Sequence, residues 1–283
     1  MIKIYLTTRL FNFDDKLRTC KLEKYLKRNF DVSIYMPYRD SDEENISKEN
    51  WKKDIFDIDI REIDSCDILI GYLDGPEFDE GVGFEIGYAV SKGKQVIMLN
   101  SDFINYKYNT TQSQCIDPLI DYLDIQMLKP SSYSLESNFC ENLKELSEKL
   151  LTKIDLHQNY KRISLVQKNS ENNIFIETGN SKIYSYICKN KIISKRLLTN
   201  NCEDDILNIL ISKKVYIVSN GQEMHFGSAI IAGLCYGLKI PFYIIDDRSI
   251  YLTGMNDVLM KTNLMIDVAT HGYIEIEEII DGL

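Results

Sequence analysis

Asp67-Ile68-Leu69-Ile70-Gly71-Tyr72-Leu73-Asp74-Gly75-Pro76-Glu77-Phe78-Asp79-Glu80-Gly81-Val82-Gly83-Phe84-Glu85-Ile86-Gly87-Tyr88-Ala89 is the stretch whose reading decides the fold. It opens with a near-continuous apolar run of strand length and turns through an acidic segment containing Gly and Pro. A helical pattern then runs from about Gly81 to Lys92. A strand without a polar face is one buried on both faces, as in a parallel sheet covered by helices on either side. Ligands of such sheets bind beyond the carboxyl ends of the strands, which is where Asp74 to Gly83 fall.

Outward from this stretch the same alternation continues. Gly93 ends the helix, and Gln95–Leu99 forms the next strand. Upstream, residues 2–6 make a short strand, and Thr7-Thr8-Arg9 leads to a helical pattern from Asn12 to about Phe30 with Phe13, Leu17, Cys20 and Leu26 as its apolar stripe. Val32–Met36 is a second strand stopped by Pro37. Ser47 reads as the N-cap of a helix carrying Trp51, Ile55, Ile58 and Ile63. The first half is therefore β-α-β-α-β-α-β, which predicts an α/β fold with a flavodoxin-like, doubly wound parallel sheet. Phe139, Leu143, Leu146, Leu150 and Ile154 mark a closing helix, and the polar stretch His157 to Arg162 marks a boundary between domains 1–156 and 163–283.

The second half repeats the cassette. Ile68 to Gly75 aligns with Lys214 to Gly221, and Asp117-Pro118-Leu119-Ile120 with Asn263-Leu264-Met265-Ile266, both at an offset of 146. Gly83, Gly93 and Val96 align with Gly227, Gly237 and Ile240 at 144. The chain reads as a tandem duplication with a diverged second copy. In this alignment Glu85 and Gly87 face Ala229 and Ile231, so the second copy lacks the carboxylate.

A chain of 283 residues fits two domains at about 150 residues each. Its 44% hydrophobic and 27% charged residues exclude disorder and fibrous repeats. A net charge of −10 without any Lys/Arg-rich block disfavours nucleic acid and anionic membranes as partners. The start lacks the pattern of a signal peptide, and no apolar run approaches the ~20 residues that span a bilayer, so a cytoplasmic location is expected. Seven cysteines without C-x-x-C spacing and three scattered histidines predict neither a disulfide framework nor a metal cluster.

The chemistry centres on Glu85 in the opening turns of the Gly81–Lys92 helix, where backbone N–H groups favour an ionised carboxylate. One reading of a carboxylate there is that it simply complements the helix dipole. Gly81, Gly83, Gly87 and Ala89, however, leave room for a substrate ring, and Asp79 and Asp59 can converge on the same crevice. Crowded, buried acids acquire separated pKa values, which supplies one nucleophile and one proton donor.

These residues resemble the nucleoside 2′-deoxyribosyltransferases. The similarity rests on Ile4-Tyr5-Leu6 with Phe11 downstream, Asp59 to Asp67, Asp79-Glu80-Gly81, Glu85-Ile86-Gly87-Tyr88-Ala89 and Gly93-Lys94. It implies that Glu85 attacks the anomeric carbon, that Tyr5 holds Glu85 by a hydrogen bond, and that Asp59 and Asp79 bind the nucleobase and move its ring proton. Gly81, Gly83 and Phe11 would line the substrate pocket. Thr7-Thr8-Arg9 departs from the small residues common there, and Tyr38-Arg39-Asp40 is either a base-reading loop through Arg39 or an ordinary surface loop. Resemblance also implies that Asn263 of the second copy binds the sugar 5′-hydroxyl, so that the two copies form an internal pseudo-dimer with one composite site; a homo-oligomer remains open. The expected partners are nucleosides and free nucleobases, with no metal or organic cofactor. The runner-up activity is an N-glycosidase acting on deoxynucleosides or their 5′-monophosphates; an alternative of another class is a nucleotide-sensing module without turnover.

Overall fold

In the computed structural model, the described residues are 1–9, 12–41, 50–74, 79–100, 117–129, 144–145, 148–149, 174–177, 202–219, 224–246, 252–253, 259–260 and 262–275. Most of the expected closing helix, all of the 157–162 boundary, Ser47 and Phe11 lie outside them. The chain divides into two compact units, Met1–Val82 with Lys92–Lys161, and Gly83–Ser91 with Arg162–Leu283.

The first unit is built on strands β1 (Ile2–Thr7), β2 (Val32–Tyr35), β3 (Ile68–Tyr72), β4 (Gln95–Leu99) and β5 (Gln126–Leu128). All pair in parallel in the order β2-β1-β3-β4-β5. This is the flavodoxin-like order, with its switch point between β1 and β3. Period-two alternation sends Ile4, Leu6, Ile68, Ile70, Ile97 and Leu99 to one face, where they cluster with Leu22 and Leu26 of helix α1 (Phe13–Asn29). Tyr5 therefore points to the opposite face, the side on which α3 (Trp51–Ser65) packs against β1.

The buried stripe of α1 differs from the expected one. Phe13 and Leu17 are 79% and 42% exposed, while Asp15, Thr19, Leu22 and Leu26 are buried. The cause is the helix start. Asn12 Oδ1 accepts from the Asp15 N–H at 2.8 Å while its Nδ2 donates to Asp15 Oδ2 at 2.6 Å, and Thr19 Oγ1 donates to the Asp15 carbonyl at 2.7 Å. Capping turns these polar residues inward and rotates the apolar ones out. The next loop folds as a short helix, α2 (Pro37–Asp40), and α3 starts after Asn50.

Helix α4 (Glu80–Ser91) is buried from Glu80 through Val90, as its lack of a polar face requires. Gly93, at φ 70°, closes the turn into β4, and α5 (Pro118–Tyr122) precedes β5.

The second unit contains β6 (Ile174–Glu177), α6 (Cys202–Ile211), β7 (Lys214–Ser219), α7 (Phe226–Leu238), β8 (Phe242–Asp246), the antiparallel pair β9 (Leu252–Thr253) and β10 (Leu259–Met260), α8 (Leu264–Ala269) and β11 (Tyr273–Ile274). Its sheet is parallel in the order β6-β7-β8-β11. Registers repeat those of the first sheet: Leu69 pairs with Val96 and Val215 with Phe242, each 27 residues on, while Ile97 pairs with Gln126 and Ile244 with Tyr273, each 29 residues on.

Matching features of the helices lie 146 residues apart in the structure, where the sequence alignment has 144. The capping residues Asp79 and His225 are 146 apart, as are the left-handed residues Gly93 and Lys239 and the caps Asp117 and Asn263. At that spacing Glu85 aligns with Ile231 and Gly87 with Gly233. Ile231, like Ala229, carries no carboxylate.

Candidate active site

The switch-point crevice of the first unit is framed by the ends of β1 and β3 and by the start of α4. After β1 come Thr8 and Arg9; after β3 come Leu73 and Asp74. Arg18 of α1 reaches this edge, donating to Asp74 Oδ2 at 2.5 Å and Asp15 Oδ1 at 2.9 Å, with its guanidinium carbon 5.9 Å from the Tyr72 ring centroid. Arg9 Nε lies 3.7 Å from Asp15 Oδ2. The edge is a lattice of alternating charges, not an acidic surface alone.

Asp79 opens α4. Its Oδ1 accepts from the Val82 N–H at 2.9 Å, an N-cap bond that satisfies one orphan donor of the first turn. Desolvation is the main force on its proton: burial raises the carboxyl, the neighbouring Glu80 charge adds to this, and the N–H bonds and Arg9 oppose it, leaving Asp79 pushed up to about 6. A carboxyl that titrates there both donates and accepts a proton near neutrality.

Glu85 is buried, at 6% exposure, on the same helix. Six residues separate it from Asp79, about 9 Å along the axis. It therefore sits in the second turn, with Glu80 the acid of the first turn, where the helix dipole acts most strongly. Gly81 and Ala89, four residues before and after, share its face. Gly83 and Gly87 do not: a Cβ on Gly83 would meet Ala229 Cβ at 2.8 Å, and one on Gly87 would sit on the Ile230 carbonyl. These two glycines let α4 approach α7 closely, which replaces the substrate-lining role expected of Gly83.

Tyr5 and Asp59 lie in the first unit. Both are buried, at 0% and 3% exposure. Tyr35, the register partner of Tyr5 on β2, joins them: its ring stacks on Tyr5 with centroids 5.4 Å apart, and its Oη donates to Asp59 Oδ1 at 2.9 Å. Tyr35 is absent from the residues singled out in the sequence. Its only signal was the strand register, which places it beside Tyr5.

Arg39 is not available for base reading. Its guanidinium donates to Glu23 Oε1 at 2.5 Å, to both Asp40 oxygens at 2.6 Å and to the Ile34 carbonyl at 3.1 Å. Burial works against the charge of Glu23, yet the bonds from Lys27 and Arg39 hold that carboxyl below its ordinary range. The residue ties α2 to α1 and β2.

In the second unit, Asn263 is the N-cap of α8, its Oδ1 accepting from the Met265 N–H at 3.0 Å. Asp117 caps α5 in the same way, at 2.8 Å from the Leu119 nitrogen. Among the described residues no cluster of His, Cys, Asp and Glu is arranged to hold a metal ion, and no helix is long and apolar enough to cross a membrane.

A parallel α/β sheet in this order binds ligands, as a class, at the switch point between its strands. The family profile described as nucleoside 2-deoxyribosyltransferase matches residues 4–154, more than half of the chain, and the protein belongs to that family. No curated protein sequence matches it. Among solved structures, similar chains include a CMP N-glycosidase from Clostridium botulinum (21% identity, 52% of this chain and 97% of that one, TM-score 0.33). Two others are a conserved protein from Enterococcus faecalis V583 (23%, 53% and 99%, 0.39) and a 2-deoxyribosyltransferase from Bacillus psychrosaccharolyticus (23%, 49% and 94%, 0.36).

Proposed function

We propose that this protein is a cytoplasmic nucleoside 2′-deoxyribosyltransferase that exchanges the bases of 2′-deoxynucleosides in base salvage. The observation that carries this reading is a buried Glu85, in a family member, on the helix capped by Asp79, whose proton titrates near neutrality.

The Glu85 carboxylate attacks C1′ of the deoxyribose. The N-glycosidic bond breaks, its electron pair leaves with the base, and protonated Asp79 delivers a proton to the base nitrogen. A second base then attacks C1′, gives its ring proton to Asp79 and releases Glu85. Two inversions give net retention and avoid a free oxocarbenium ion. Resemblance to the family assigns Tyr5 to orienting Glu85, Asp59 to the base and Asn263 to the sugar 5′-hydroxyl.

The test is incubation with deoxyinosine and adenine, followed by chromatography. Deoxyadenosine and hypoxanthine are expected. Free deoxyribose in place of deoxyadenosine assigns hydrolysis instead, and no turnover of any deoxynucleoside refutes an enzymatic role.

A further inference from the structure

We propose that Tyr35 is a positioning residue of this site, holding Asp59 and Tyr5 in fixed relation through one hydrogen bond and one ring stack. The inference rests on the base-exchange reading, in which Asp59 meets the nucleobase.

Three observations carry it. Asp59 projects from α3 into a nearly water-free position, at 3% exposure, where a carboxylate needs hydrogen-bond donors. Tyr35 Oη supplies one at 2.9 Å, so the orientation of the Asp59 carboxylate is tied to a hydroxyl 24 residues away in sequence. The same tyrosine stacks on Tyr5 at an interplanar angle of 28°, and parallel pairing of β1 with β2 fixes both rings to adjacent backbones.

Tyr35 thus sits between two residues to which resemblance assigns separate tasks, Tyr5 at the nucleophile and Asp59 at the base. The Tyr35 ring, on β2 and stacked on Tyr5 of β1, links the Asp59 carboxylate to both strands. Loss of the hydroxyl removes this bond from Asp59 and keeps the ring that makes the stack. Removal of a hydrogen bond to a charged acceptor is worth about tenfold or more in rate when it sets a reacting geometry.

The experiment uses the full chain with Tyr35→Phe, which keeps the ring. Arg39→Ala serves as a control that removes bonds from the same β2–α2 region without touching the proposed site. Two readouts are taken: kcat and KM for the acceptor base, and the carboxyl 13C resonance of Asp59, assigned by its loss in Asp59→Asn. Tyr35→Phe is expected to lower kcat/KM about tenfold while Arg39→Ala stays within twofold of the native enzyme, and to move the Asp59 resonance by more than its line width. A native-like kcat/KM in Tyr35→Phe overturns the proposal while leaving base exchange standing. If the native protein turns over no deoxynucleoside, the functional reading fails and the resonance decides the positioning claim alone: an unmoved Asp59 signal overturns it, and a moved one upholds the link from Tyr35 to Asp59.

Discussion

Replacing Gly87 by Ala tests the packing of the helix that carries Glu85. The added Cβ would sit on the Ile230 carbonyl oxygen, 2.8 Å from its carbon and 2.9 Å from the Leu234 nitrogen, where ordinary contacts need about 3.4 Å or more. These are backbone atoms of α7, so no side-chain rotation relieves the clash and α4 must move outward. Overpacking of this kind costs about 1–3 kcal/mol or more, and the helix propensity gained from Gly to Ala returns about 1 kcal/mol. The net expectation is a loss of up to about 2 kcal/mol, or a fall of up to about 8 °C in melting temperature. Gly233→Ala should behave alike, because its Cβ would meet the Phe84 carbonyl and the Tyr88 nitrogen, the same contacts seen from the opposite helix. In the double variant the first Cβ opens the gap the second requires, so the losses should fall short of their sum by about 0.5 kcal/mol or more. Calorimetric scans of the four proteins measure this. A rise in stability for either single variant would mean that propensity acts without a clash, and would refute the close approach of the two helices.

Asp79→Asn keeps a good N-cap but cannot titrate. The native kcat/KM should fall as pH rises through about 6, since about nine-tenths of a proton donor with that pKa is charged by pH 7, and the variant should show a low, flat profile. The folded pKa of Asp79 lies above its unfolded value, so the native state holds the extra proton between about pH 4 and 6. Stability should decline over that interval and level off above it, and urea titrations of Asp79→Asn should lose the decline. Arg39→Ala should cost about 1 kcal/mol in urea denaturation, through loss of its bonds to Glu23, Asp40 and Ile34, with unchanged kinetics. Deoxynucleosides should outrun their 5′-monophosphates in kcat/KM, because Arg18 at the crevice edge is already committed to Asp15 and Asp74; a faster monophosphate would contradict this.

The parallel sheet was legible because Ile68 to Leu73 is apolar without alternation, and Gly93 announces the turn it makes at φ 70°. Strand Gln95–Leu99 falls where its run begins and ends for the same reason. The outward turn of Phe13 and Leu17 was not legible, because the inward rotation of Asp15 and Thr19 comes from capping bonds that outweigh apolar periodicity. In sequence Arg39 fits a base-reading loop and an ordinary surface loop equally; its partners Glu23 and the Ile34 carbonyl reach it only in the folded chain. Small residues on α4 pointed to an open pocket, yet helices use Gly for close packing as well as for substrate space, and only the partner helix tells Gly83 and Gly87 from Gly81. Tyr35 escaped notice because its bond to Asp59 joins β2 to α3, a relation that no spacing along one element encodes.

The central claim is a covalent sugar on Glu85. The native protein and Glu85→Ala are each mixed with deoxyinosine, quenched in acid within one turnover, digested and analysed by mass spectrometry. The peptide containing Glu85 should gain the mass of one deoxyribosyl group in the native protein, the adduct should vanish when adenine is added before the quench, and Glu85→Ala should show neither adduct nor exchange. An adduct on another residue, or base exchange retained by Glu85→Ala at more than a few per cent of the native rate, would contradict the account.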